Sequence, residues 1–141
     1  CFQFYSSIVS NSILQLFPMR GVTDWSHQFK DNICIVYFEG IFVDLDLVVF
    51  QINLAKLMNK QKSKAVLFNL KNVTKVDSSG ITKFIILYRS LTAQQIHSAM
   101  CQPHENIQFA FEVVRLNEIL PLYDTEEEAI TFLNKHPLLQ N

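Results

Sequence analysis

The sequence predicts an α/β fold built on a mixed central sheet with about four helices. Two observations carry that expectation. Ile33–Phe38 and Ala65–Leu70 are short, continuous apolar runs rich in β-branched residues, which read as strands covered on both faces. They alternate with longer segments whose apolar residues recur at helical spacing, so crossover connections and parallel pairing are expected. A third observation bears on organisation. With no internal repeat and no low-complexity linker, the economical reading is one domain over residues 19–141, preceded by an extension, residues 1–18.

Taken in order, Asp24–Phe29 has strand character and Lys30-Asp31-Asn32 is a turn. Ile33–Phe38 follows, and Gly40 breaks it, leaving Ile41-Phe42-Val43 as an apolar loop. Asp44 and Asp46 suit a helix N-terminus, with Leu45, Val48, Val49, Ile52 and Leu57 at helical spacing behind them. Lys60–Lys64 is a solvated basic connection, and Ala65–Leu70 is the next strand. The helix after Asp77-Ser78-Ser79-Gly80 has its apolar stripe at Ile81, Phe84, Ile85, Tyr88 and Leu91. Ile96–Cys101 is a shorter strand. Asn106–Leu116 is a helix through Ile107, Ala110, Phe111 and Val114. Pro121 marks Ile119–Tyr123 as an edge strand. Thr125 and Glu128 form a capping box for the last helix, and Lys135, His136 and Pro137 close it. The four helices are expected near 45–58, 79–92, 106–116 and 125–135.

Composition excludes several function classes. The chain has 141 residues and a formal net charge of −1, and it lacks the basic stripe that a nucleic acid or an anionic membrane would require. No apolar run is long enough to span a bilayer. Cys1, Cys34 and Cys101 are odd in number and far apart, which points to a reducing compartment, with Cys34 as a small core residue. His27, His97, His104 and His136 share no metal-ligand spacing, so no metal and no other cofactor are expected. Residues 1–18 contain no Lys, Arg, Asp or Glu, hence no basic n-region of a signal peptide. Met19 is the first methionine, so either the native chain starts there or residues 1–18 form an element packed on the domain.

No Gly-x-Ser-x-Gly elbow, Walker loop or dinucleotide fingerprint is present, and three glycines leave little material for a phosphate cradle. The chain reads as a non-enzyme. Its informative segment is Leu70-Lys71-Asn72-Val73-Thr74-Lys75-Val76-Asp77-Ser78-Ser79-Gly80-Ile81, between a buried strand and an amphipathic helix. A serine at a helix entrance caps free backbone N–H groups, and the same groups with the helix dipole welcome a phosphate. Phosphoserine adds roughly two negative charges. Taken alone, Asp-Ser-Ser-Gly is ordinary turn-and-cap chemistry.

The wider pattern resembles the STAS family, named for sulfate transporters and anti-sigma factor antagonists. The resemblance rests on Ile33–Gly40, Ala65–Leu70, Val76–Ile81 and Leu116–Ala129, and covers roughly Asp24 to Leu133. It implies a cytoplasmic regulator of transcription that binds a serine-kinase-type anti-sigma factor and so frees a sigma factor. It maps the phosphorylated serine to Ser78, within a switch loop of Asp77, Ser79 and Gly80. Helical geometry then puts Thr82, Ile86 and Arg89 on one strip leading away from Ser78. With Ile41, Phe42, Val43 and Asp44 they form the expected partner surface. Three departures from the antagonist pattern stand out. Gly40-Ile41-Phe42-Val43 replaces Gly-Glu-Leu-Asp, Thr82 replaces a glycine, and no glycine pair occurs around Gln94-Gln95. The apolar loop favours an alternative: a STAS domain of an anion transporter, or a small STAS subunit of a lipid transport system. A nucleotide-binding domain is a third reading.

Overall fold

A computed structural model describes residues 24–42 and 46–135. The described residues form a five-stranded mixed sheet in the order β1-β2-β3-β4-β5, with four α-helices. The strands are β1 (Asp24–Lys30), β2 (Ile33–Phe42), β3 (Ala65–Val76), β4 (His97–Cys101) and β5 (Leu122–Tyr123). The helices are α1 (Leu47–Gln61), α2 (Ser78–Ala93), α3 (Glu105–Val113) and α4 (Glu126–Lys135), and a 3-10 turn spans Leu116–Glu118. β1 is antiparallel to β2, and every later pairing is parallel. The β1–β2 connection is a two-residue turn with φ of 53° at Asp31 and 63° at Asn32. This primed geometry matches strand twist, and aspartate and asparagine tolerate it best after glycine.

Strand alternation divides the core in two. Cys34, Val36 and Phe38 of β2 and Val66, Phe68 and Leu70 of β3 point to one face. There α1 contributes Phe50, Leu54 and Met58, α2 contributes Ile81, Phe84, Leu87 and Leu91, and α3 contributes Ile107 and Phe111. Ile33, Ile35 and Leu67 point to the other face, which Ala129, Ile130 and Leu133 of α4 cover. Thr125 Oγ1 accepts the Glu128 N–H at 3.1 Å and so caps α4, as its sequence predicts.

Two strands run longer than expected. β2 continues past Gly40 to Phe42, and β3 past Leu70 to Val76, as a paired ribbon reaching beyond the end of β4. Gly40, with φ of 81°, lies between two register shifts and bulges the strand without ending it. Ile41 and Phe42 therefore belong to a strand, and the expected apolar loop does not begin there.

Two helical phases also differ. The buried face of α1 is Phe50, Leu54, Leu57 and Met58, whereas Val48, Val49 and Ile52 face solvent. On α2, Leu87 is fully buried, while Ile85 and Tyr88 lie only partly buried against the core. α3 ends at Val113 and Val114 is exposed. Before β4, where the sequence has Gln94-Gln95 in place of a glycine pair, Gln95 adopts a left-handed φ of 62° with its side chain present.

Candidate functional site

The candidate site is built at the C-terminal end of the parallel strands, where β3 feeds α2. Asp77 is the N-cap of α2: its backbone is extended and its Oδ1 accepts the Gly80 N–H at 2.8 Å. The cap is the aspartate and neither serine, because at N-cap position the Asp77 carboxylate reaches the third helical N–H directly. Ser78 and Ser79 are both exposed in the first helical turn. The Ser78 carbonyl accepts the Thr82 hydroxyl at 2.9 Å, so Thr82 reinforces the same turn.

Gly80 explains how this turn is held. A Cβ there would run into the Phe42 carbonyl oxygen and crowd Val76 Cγ2 at 2.9 Å and Phe42 Cδ1 at 3.0 Å. The end of β2 therefore presses directly on the start of α2. One turn on, the Phe84 ring stacks on Phe42 at 4.1 Å between centroids, 13° from parallel. Phe42 also meets Phe38 edge-on at 4.9 Å. Phe42 is completely buried, so it is removed from the expected partner surface: it anchors the helix entrance from below. Val43 and Asp44 lie outside the described residues.

The other expected surface residues separate cleanly. Thr82 and Arg89 are exposed, and Ile86 is 48% exposed, on the side of α2 away from Ile81, Phe84, Leu87 and Leu91. Ile41 is 44% exposed at the end of β2. Sequence reasoning missed the contribution of α1. Val48 and Ile52 flank Gln51, whose Oε1 accepts the Ser90 hydroxyl of α2 at 2.6 Å. Ser90 is one turn beyond Ile86, so this bond ties α1 to α2 near that strip, and both helices carry exposed aliphatic residues. The one available signal was Phe50, a large aromatic that competes for the core position in the α1 pattern.

Electrostatically the entrance is simple. α2 has no acidic residue in its first turn, and the Asp77 carboxylate at its cap meets the positive end of its dipole. An anionic group on Ser78 would sit at that dipole end and beside the Asp77 carboxylate. Among the described residues no cluster of three or more His, Cys, Asp or Glu side chains is arranged to hold a metal ion. No helix among them is long and apolar enough to cross a membrane.

The fold has clear relatives among solved structures. An anti-sigma factor antagonist from Mycobacterium paratuberculosis superposes with a TM-score of 0.65 at 16% identity, over 82% of this chain and 97% of that one. The anti-sigma factor antagonist SpoIIAA in its unphosphorylated form gives 0.59 at 19% identity, over 83% and 99%. The murine anion transporter Slc26a9, in its inward-facing state, gives 0.59 at 12% identity, over 92% of this chain and 25% of the transporter. At such identities these likenesses establish the fold. No curated protein sequence matches the chain significantly. The STAS domain family model matches residues 24–129, most of the chain, and the protein belongs to the STAS domain family.

Proposed function

We propose that this STAS domain is a protein-binding switch of the anti-sigma factor antagonist kind, controlled by phosphorylation of Ser78. The supporting observation is the juxtaposition at the start of α2. An exposed serine follows a capping aspartate, on a helix end wedged rigidly against β2, at the head of an exposed strip through Thr82, Ile86 and Arg89. A phosphate on Ser78 would be stabilised by the helix dipole, and so would hardly disturb the fold. It would add its charge to that of Asp77 at the edge of an aliphatic surface, where a partner would have to desolvate both. On this reading the unmodified form binds a serine-kinase-type anti-sigma factor in the cytoplasm, and the modified form releases it. The family relatives described as anti-sigma factor antagonists support that partner class.

The transporter reading keeps the same surface and changes its partner. It is favoured by Ile41, exposed where the antagonist pattern has a glutamate, and by the exposed aliphatic residues Val48, Val49 and Ile52 on α1. Incubation with a kinase-type anti-sigma factor and ATP, followed by mapping of the modified residue, separates the two. Phosphate incorporated at Ser78 supports the antagonist. Stable binding to that factor with no phosphate at Ser78 contradicts the switch, and neither binding nor transfer favours the transporter reading.

A further inference from the structure

The outer face of α3 departs from what its position predicts. The helix buries Ile107 and Phe111, so residues 105, 109, 112 and 113 turn away from the core. A solvated helix face is normally polar. Here Phe109 is 67% exposed and Val113, one turn later, 65%. Phe109 lies in an open groove of about 600 Å³, lined also by Glu105, Asn106, Gln108 and Glu112. Two of those five residues are carboxylates and none is a cation. Gln108 Nε2 donates to Glu112 Oε2 at 3.3 Å, which steadies that carboxylate on the rim. The start of α3 is also fixed: Asn106 Nδ2 donates to the Thr74 carbonyl at 3.2 Å, and His104 Nε2 meets the Lys71 carbonyl at 2.7 Å.

We propose that this face is a docking site for a basic, amphipathic helical segment of another protein. Its apolar side chains would cover Phe109 and Val113, and lysine or arginine would reach Glu105 and Glu112. The choice of occupant follows from charge. The two carboxylates repel an acidic peptide and an anionic membrane alike, whereas a cation is attracted to both and to the Phe109 ring face. A second copy of this chain, packed about a two-fold axis, would set Glu105 and Glu112 against themselves. Glu105 and Glu112 are seven residues apart, about 10.5 Å along the helix, so matching cations two turns apart on the partner would engage both.

The test titrates the full chain with a synthetic helical peptide of about four turns, leucine on one face and lysines flanking it two turns apart. A second peptide carries glutamate in place of lysine. The lysine peptide is expected to bind, to weaken about tenfold or more on Phe109→Ala and on Glu105→Lys/Glu112→Lys, and to weaken with rising salt. Ser78→Asp is expected to leave its affinity unchanged. Phe109→Ala removes only exposed surface, so an unchanged melting temperature confirms that the variant is folded. The proposal is overturned by absence of binding, by equal affinity for the glutamate peptide, or by indifference to Phe109→Ala. It is also overturned if Ser78→Asp weakens the peptide as much as Phe109→Ala does, which would move the contact to α2. Phe109-dependent binding to phosphatidylserine vesicles, or a native dimer that Phe109→Ala makes monomeric in sedimentation, would assign the face to a membrane or to a second copy instead.

Discussion

The Phe42 carbonyl oxygen occupies the place where a side chain on residue 80 would begin, so Gly80 is the point at which β2 and α2 touch backbone to backbone. Behind that contact the Phe42 and Phe84 rings stack at 4.1 Å. The entrance of α2, with Ser78 on it, is therefore held from beneath by a completely buried aromatic pair.

Gly80→Ala is expected to destabilise the protein, although alanine is the better helix former. The added methyl meets a backbone oxygen, which cannot swing aside as a flexible side chain can, and overpacking of this kind costs roughly 1–3 kcal/mol. A thermal melt or urea titration checks it. Stability equal to the native protein would show that β2 does not press on the helix.

Asp77→Ala is expected to lose about 1 kcal/mol with its cap bond to Gly80. Ser78→Ala and Ser79→Ala, at exposed positions that do not supply the cap, are expected to stay within about 0.5 kcal/mol of native. Equal losses at all three positions would show that the capping role is shared.

Much of this end of the molecule was legible in the sequence. The order of elements and the outward side of α2, with Ile86 on it, follow from periodicity, and Asp-Ser-Ser-Gly does mark a helix start. The inner phase of α1 did not follow, for a physical reason. The first two turns of α1 are apolar nearly all round, so Val48, Val49 and Ile52 fit a helical stripe as well as Phe50 and Leu54 do. Tertiary packing decides between them: Phe50 wins because Trp25 meets it edge-on at 4.9 Å and the Phe38 ring packs on it, tilted by 42°, at 5.5 Å. The extent of β3 was hidden likewise. The apolar run ends at Leu70, yet Lys71, Asn72, Thr74 and Lys75 belong to a strand that beyond Asn69 is paired on the β2 side only, where polar side chains reach solvent.

Stability is expected to peak between about pH 7 and 9 and to fall on both sides. Burial holds the His27 pKa below its ordinary 6.5, and its Nδ1 has no hydrogen-bond partner among the described residues. Below pH 6.5 the unfolded chain takes up a proton that the folded state resists, so stability drops as pH falls. Burial pushes the Cys34 and Cys101 thiols from 9.0 up to about 12. Tyr37 rises from 10.0 to about 12, through burial and then its hydrogen bond to Glu126. From pH 9 upward the unfolded state releases protons that the folded state keeps, and stability is lost again. Melting temperatures across this range check both limbs. His27→Leu should flatten the acid limb just below pH 6.5, and an unchanged slope in that variant would contradict the assignment.

Ile86→Asp is expected to leave the melting temperature near native, because Ile86 lies outside the core of α2. It should weaken binding to the anti-sigma factor by more than about tenfold, since it sets a charge in the apolar part of the surface. A large drop in melting temperature would show that Ile86 is structural, and an unchanged affinity would place the partner elsewhere.

The central claim is that a negative charge at residue 78 ends partner binding while the fold persists. The most direct measurement is the affinity of native protein and Ser78→Asp for a serine-kinase-type anti-sigma factor, with Ser78→Ala as the uncharged control. Ser78→Ala should bind as the native protein does. Ser78→Asp should bind at least about tenfold more weakly, through the cost of desolvating its charge beside Asp77, while its melting curve stays native. Native-like affinity in Ser78→Asp would contradict the account.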